Sequence, residues 1–212
     1  MGSNIAFIGL HGTLQSGKDT TAEALRAFAK THKYEIEHVS FANPLKDCML
    51  PVFGGERRNY YGTNDDKNEE MTFWQARLGK NFASYRSAIQ WIGTELFREH
   101  VHPDFWVFAT ELRIRQYLAA DGDQFTADFR SKRTIFVAAD VRFDNEAKFI
   151  LDHGGAVGHI LRADGVKVET KGIAGHSSES GISPDLVSHI YTCNIGDHAD
   201  VAADLMRRIG KV

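Results

Sequence analysis

The sequence predicts an α/β fold, and three observations carry the prediction. An apolar run, Ile5-Ala6-Phe7-Ile8-Gly9-Leu10, is short enough for a buried parallel strand. It passes into Gly12-Thr13-Leu14-Gln15-Ser16-Gly17-Lys18-Asp19-Thr20, after which Ala22, Leu25, Phe28 and Ala29 recur at helical spacing. Far downstream, Arg133-Thr134-Ile135-Phe136-Val137-Ala138-Ala139-Asp140 is a second clear apolar strand.

Strand, glycine loop and helix in this order are the setting that a phosphate-binding loop requires. Glycines let backbone N–H groups turn inward without a Cβ clash. The helix N-terminus adds unpaired donors and a partial positive charge, and Lys18 is an ammonium for the outer phosphates. The loop reads G-x-x-x-x-G-K, but Asp19 stands where Ser or Thr usually follows the lysine. Asp19 or Thr20 must then serve a Mg2+ ion, directly or through water. The plainer alternative is a glycine turn before a helix, capped by Asp19 or Thr20.

The chain of 212 residues suits one α/β domain with insertions, or two small domains. It is 42% hydrophobic and 25% charged with a net charge of −3, a balance that predicts neither a nucleic-acid coat nor a membrane-surface partner. Cys48 and Cys193 form no CxxC pair, so no disulfide framework or metal cluster is implied and a reducing cytosol is the default. The N-terminus shows no signal-peptide pattern, and no stretch reaches membrane-spanning length.

Taken in order, Glu35 to Phe41 reads as a second strand, ended by Pro44, which opens a helix. Lys46 then falls near the C-terminal edge of the sheet, where open α/β folds bind ligands; a solvated surface lysine is the alternative. Residues 53 to 80 are polar and turn-rich and read as a mobile insertion, with Tyr60, Tyr61 and Trp74 available for base stacking or small-cluster packing. From Ser84 to Val101 the pattern predicts one helix buried through Ala88, Ile89, Ile92 and Leu96. A second stripe on it runs Arg86, Gln90, Thr94 and Arg98, with Gly93 beside it leaving room for a ligand. Arginine offers bidentate phosphate recognition and glutamine both donor and acceptor to a base edge, whereas a solvated face is the plainer reading.

His102-Pro103-Asp104 caps a further helix from Phe105 to about Ala119. Asp140, ending its strand, is placed to hold Mg2+ through water, and Arg142 falls at the same sheet edge. A structural Asp140–Arg142 pair is the alternative. A short helix from Asn145 to Asp152 stops at Gly154-Gly155. A fourth strand spans Val157 to Leu161 and leads into Arg162. Residues 163 to 181, with Lys167, Lys171, His176 and Glu179, have the size of a cover that keeps water from a transferring phosphoryl group. A fifth strand from His189 to Asn194 and a helix from Val201 to Ile209 close the chain.

Several stretches together resemble the bacteriophage deoxynucleoside monophosphate kinases. They are Ser16-Gly17-Lys18-Asp19-Thr20-Thr21, Phe41-Ala42-Asn43-Pro44-Leu45-Lys46, Gln90-Trp91-Ile92-Gly93-Thr94-Glu95, Asp140-Val141-Arg142-Phe143-Asp144-Asn145-Glu146 and His176-Ser177-Ser178-Glu179. The resemblance implies a three-layer P-loop kinase fold. Its five-stranded parallel core would comprise residues 1–41, 133–162 and 182–212, with an acceptor-binding insertion over 42–132 and a lid over 163–181. It implies a Mg2+-dependent transfer of the ATP γ-phosphoryl to a deoxynucleoside monophosphate. Gly12, Leu14, Gln15, Ser16, Gly17, Lys18, Asp19, Thr20, Arg162 and Lys171 would hold the donor. Asp19, Thr20 and Asp140 would organise the metal, and Lys18, Asp140 and Arg142 would serve the transfer. Lys46, Arg86, Gln90, Trp91, Trp106, Arg142 and Glu179 would form the acceptor site.

The resemblance further implies a homodimer in the host cytoplasm, acting on a small molecule without nucleic acid or membrane. Two departures stand out: His11 precedes the loop where the family more often has a small residue, and the lid is poor in arginine. The rivals are a dephospho-coenzyme A or phosphomevalonate type of kinase on the same fold, and a nucleotide switch; an Asn-Lys-x-Asp guanine motif is missing.

Overall fold

A computed structural model of the chain describes residues 5–13, 15–120, 134–164, 181–194 and 196–210. Five strands, β1 (Ile5–His11), β2 (Glu35–Val39), β3 (Thr134–Ala138), β4 (Ala156–Arg162) and β5 (His189–Cys193), form one all-parallel sheet in the order β2-β3-β1-β4-β5. The helices of the first half are α1 (Lys18–Thr31), α2 (Asn43–Phe53), α3 (Arg57–Tyr61), α4 (Asn64–Asn68) and α5 (Thr72–Leu78). Those that follow are α6 (Tyr85–Trp91), α7 (Phe105–Ala120), α8 (Asp144–Asp152) and α9 (His198–Arg208).

The contacts divide the chain into two compact units. One takes Met1–Ser40, Glu111–Glu169 and Gly181–Val212, and the other Phe41–Thr110 and Thr170–Ser180. The first holds the sheet, flanked by helices as in a P-loop kinase fold. Alternation along the central strand β1 decides what each face buries. Ala6, Ile8 and Leu10 pack with Ala22 and Leu25 of α1 and with Val201, Leu205 and Met206 of α9. Phe7 points the other way, stacking on Phe136 at 5.4 Å and meeting Phe149 of α8 edge-on at 5.6 Å. Each face is covered, which is why these strands read as continuous apolar runs.

The second unit has its own core of Leu45, Met49, Tyr60, Met71, Phe82, Ala88, Ile92 and Trp106. Residues 53–80, read from their composition as a polar, turn-rich insertion, carry three short helices held by local bonds. Arg58 donates to Glu56, Asp66 and Glu69 at 2.9, 3.0 and 2.6 Å. The buried Asn59 donates to the Asp66 carbonyl and to Glu69. Polarity there marks a hydrogen-bonded lattice of capping residues, which composition alone reads as loop.

The single helix expected over 84–101 is also corrected. After α6 the backbone widens into a π-helix over Ile92–Glu99. A π-turn takes one residue more than an α-turn and so shifts the faces that follow it. Leu96, expected in the buried stripe, is therefore exposed, while Thr94, expected on the ligand stripe, is buried.

Candidate active site

β1 lies between β3 and β4, so three strand ends gather the chemistry-bearing residues of the first unit at one sheet edge. Ligands of parallel sheets bind at that edge. The glycine loop leaves β1, Asp140 and Arg142 follow β3, and Arg162 ends β4. Val141 N–H donates to Leu10 O at 3.0 Å, and His11 Nδ1 meets Val141 O at 2.8 Å. These two bonds tie the Asp140–Arg142 turn to the end of β1. A carbonyl only accepts, so Nδ1 of His11 carries the proton. The unexpected histidine before the loop thus anchors the neighbouring strand's turn.

Within the loop, Gly12 and Gly17 have φ of +148° and +98°, and Gln15 has φ +58°. A Cβ on Gly12 would lie 2.4 Å from Ile160 O and 2.7 Å from Ser16 Oγ, so only glycine fits. Ser16 is 3% exposed, and its hydroxyl has no hydrogen-bond partner among the described residues. An unsatisfied buried hydroxyl is costly unless a ligand completes it. Lys18, the first residue of α1, curls back to donate to Gly12 O at 2.8 Å and Thr13 O at 2.6 Å. Burial pulls its pKa below the ordinary lysine value, opposed by Asp140 and Asp19, while Arg142 adds to the lowering. Those three charges therefore act on one ammonium.

Asp19 and Thr20 are exposed in the first turn of α1. Arg142 clasps Asp140, with Nε and Nη2 each 2.8 Å from Oδ2. Arg162 pairs with Asp164 and also reaches Gln15 O at 3.5 Å, touching the loop's backbone. Leu14, Lys171 and Glu179 lie outside the described residues.

Two positions carry more than sequence reasoning assigned them. Glu146 is 3% exposed, and its Oε2 accepts from the N–H groups of Arg142 and Phe143 at 2.9 and 3.3 Å. It caps α8 and sets the backbone from which Arg142 projects. The acidic residue three places into the helix was the available signal. Glu146→Ala should cost about 1–3 kcal/mol in chemical denaturation, the penalty of orphaned buried donors, and lower turnover several-fold, whereas Glu146→Gln keeps an acceptor and should restore most of both. Equal behaviour of the two variants would remove Glu146 from this role. The other position, His198, had no sequence signal and lies against Gly17.

The second unit disposes its candidates differently. Arg86 Nε donates to Asn68 Oδ1 at 2.9 Å and Nη2 to Asn64 Oδ1 at 2.7 Å, which ties α6 to α4. Lys46 lies 5.2 Å from the Tyr61 ring centroid. Gln90 and Trp91 are half-buried on α6, and Trp91 packs against Phe82 at 5.6 Å between ring centroids. Trp106 is 3% exposed and donates from Nε1 to Gly93 O at 2.8 Å. Both its faces and its N–H are committed to the core, so the structure corrects its expected place beside a base. The space at Gly93 is likewise filled by Leu45, whose Cδ2 would be 2.7 Å from an added Cβ. Arg98 donates to Pro103 O at 3.2 Å, so the expected four-residue stripe does not persist past Gln90.

Two histidines of the first unit give its stability a pH dependence of known sign. His159 meets His11 at 4.6 Å between ring centroids, and burial, followed by His11 and Lys18, holds its pKa below the ordinary 6.5. His38 is depressed by burial and by Arg26, with Glu23, Glu37 and Asp19 opposing. As pH falls through 6.5 the unfolded chain takes up these protons before the folded one does. Stability is therefore full above that value and is lost as pH falls toward the folded-state values. Urea midpoints should drop between pH 7.5 and 5.5, and a His38→Asn, His159→Asn double variant should flatten the profile; a wild-type midpoint that holds or rises on acidification contradicts this.

A parallel sheet whose central strand feeds a glycine loop, a lysine and a helix N-terminus, with an acidic residue just beyond the adjacent strand, is the arrangement characteristic of the P-loop nucleotide-binding class. Two relatives sharpen that class. The chain is 27% identical over 185 residues to a protein of Acanthamoeba polyphaga mimivirus named "Putative deoxynucleotide monophosphate kinase", covering 82% of this chain and 81% of the relative. It is 26% identical over 231 residues to the "Deoxynucleoside-5'-monophosphate kinase" of Escherichia phage T5, covering 86% and 87%. No protein-family model matches the chain. No helix among the described residues is long and apolar enough to cross a membrane.

Proposed function

We propose that this chain is an ATP-dependent deoxynucleoside monophosphate kinase, forming ADP and a deoxynucleoside diphosphate. The observation that carries the reading is the loop itself, together with two relatives named for that activity along most of the chain. The left-handed Gly12 and Gly17, the orphaned Ser16 hydroxyl and the folded-back Lys18 suit a run of phosphates. The α1 N-terminus adds partial positive charge in the same place.

An oxygen of the acceptor phosphate attacks the γ-phosphorus as the bond from that phosphorus to the β,γ-bridging oxygen breaks. No protein nucleophile is required, so positioning and charge stabilisation supply most of the acceleration. Lys18 would exchange its carbonyl partners for phosphate oxygens and follow the charge to the leaving ADP. Arg142 would turn from Asp140 to the transferring group, leaving Asp140 with Asp19 and Thr20 as the oxygen donors. Such hard, exposed oxygens suit a water-rich Mg2+, and no cluster of three or more metal-ligating side chains occurs among the described residues. The ion, when bound, supplies neutralisation of phosphate charge. Arg162 would bind the donor from the β4 side, with Gly12, Gln15, Ser16 and Gly17 lining its phosphates. On the second unit Lys46, Arg86, Gln90 and Trp91 are the acceptor candidates, and assembly as a homodimer accompanies the reading.

ADP release from ATP and Mg2+, with each deoxynucleoside and ribonucleoside monophosphate offered separately, tests this. Stimulation by deoxynucleotides with formation of the matching diphosphate is expected. ATP binding without stimulation by any nucleotide would reject the acceptor class and direct attention to other phosphate-bearing small molecules.

A further inference from the structure

We infer that His198 is a positioning residue for the donor-phosphate loop, acting through Thr21 on Gly17. α9 opens at His198, and its packing with α1 through Ala22, Leu25, Val201, Ala202 and Leu205 carries that first residue onto the loop. Asp197 fixes the approach, accepting from Asn194 N at 2.7 Å and from its side-chain amide at 3.1 Å. The imidazole then covers Gly17, where an added Cβ would lie 2.5 Å from Cε1 and 3.1 Å from Nε2.

The hydrogen bonds assign the proton. Thr21 is fully buried, and its Oγ1 lies 3.0 Å from Gly17 O and 2.9 Å from His198 Nδ1. The hydroxyl has one proton, and Gly17 O can only accept, so Thr21 donates to Gly17. His198 Nδ1 must then donate to Thr21, which makes Nδ1–H the required tautomer. Gly17 O also accepts from Thr21 N at 2.9 Å. The carbonyl of the loop's last glycine is thereby held by two donors of one residue, and that residue is oriented by His198. Gly17 precedes Lys18 and has φ +98°, so its peptide orientation decides where the Lys18 N–H and the start of the side chain point. The unit so formed is His198–Thr21–Gly17, and its output is the geometry of the phosphate site.

The inference rests on ATP being the ligand of the loop, so the test reads ATP binding apart from turnover. Calorimetric ATP affinity, Tm and the KM values for both substrates would be measured for wild type, His198→Asn, His198→Gln and His198→Ala. Asparagine places an N–H where Nδ1 stands, whereas glutamine places one nearer Nε2. Alanine and glutamine should weaken ATP binding about tenfold, the scale of a lost buried hydrogen bond, and raise the ATP KM alone. Asparagine should stay within about twofold of wild type. Thr21→Val should match His198→Ala, and the double variant should be no worse than either single one.

Equal affinities for asparagine and glutamine variants, or additive losses in the double variant, would overturn the assignment. A fall in Tm with unchanged ATP affinity would reduce His198 to a packing role and overturn it as well. If His198→Ala fails to fold, the asparagine–glutamine comparison still decides. Wild-type ATP binding without deoxynucleotide phosphorylation would sink the proposed reaction and leave this test intact; wild type that binds no ATP would overturn both.

Discussion

Lys18→Met is expected to lower phosphoryl transfer by about two to three orders of magnitude, the usual loss when one preorganised charge donor is removed from a transition state. Methionine keeps most of the aliphatic stem, so the loss reads the ammonium itself. That group is held between Gly12 O and Thr13 O and balanced among Asp140, Asp19 and Arg142. Its site is half-enclosed, which leaves little room for a neighbour to substitute. Tm should change by only a few degrees, because the charge is partly desolvated and removing it relieves that cost. A variant retaining a tenth of wild-type turnover would show that Lys18 does not follow the migrating charge.

Gly12→Ala should abolish measurable ATP binding, with a loss of a hundredfold or more. Two independent effects meet at this residue. Its φ of +148° is strained for any L side chain, at about 1–3 kcal/mol. The added Cβ would also lie 2.4 Å from Ile160 O, which is backbone of β4 and cannot swing aside. Gly54 provides the internal control. Its φ is +72° and nothing lies within 4 Å of an added Cβ, so alanine there carries the conformational cost alone. Gly54→Ala should therefore leave ATP affinity unchanged and lower Tm slightly. Equal ATP affinities of the two alanine variants would mean that the close approach to Ile160 does not shape the loop.

What the sequence disclosed and what it concealed separate along a physical line. β1, the glycine loop and α1 form one contiguous segment whose periodicity and glycine spacing are local, so all three were legible. β3 was equally plain, because a strand covered on both faces is a continuous apolar run. Features set by distant partners were not legible. His198 acquires its place only because α9 packs on α1, and Glu146 is one acid among many until burial against Arg142 N–H distinguishes it. Trp106 resembles any aromatic available for stacking until Gly93 O takes its N–H. The π-turn after Trp91 shows how a regular pattern misleads: spacing by four predicts one face only while the helix keeps its pitch. Polar composition misled over residues 53–80, where asparagines and acids tie short helices together.

The central place of β1 in the sheet has a consequence for how the molecule is made. Both strands that flank it begin more than a hundred residues later, β3 at Thr134 and β4 at Ala156. At about 5–20 residues per second of synthesis, β1 waits on the order of ten seconds on the ribosome before either neighbour emerges. During that interval a strand of seven residues, five of them buried in the finished sheet, has no native ladder partner. Unpaired apolar strands are templates for wrong pairing. The segment 41–110, which makes up most of the second unit, is complete before β3 appears. The nascent chain therefore assembles the sheet and its glycine loop late, and shielding of the first ten residues during translation should govern the yield of folded protein.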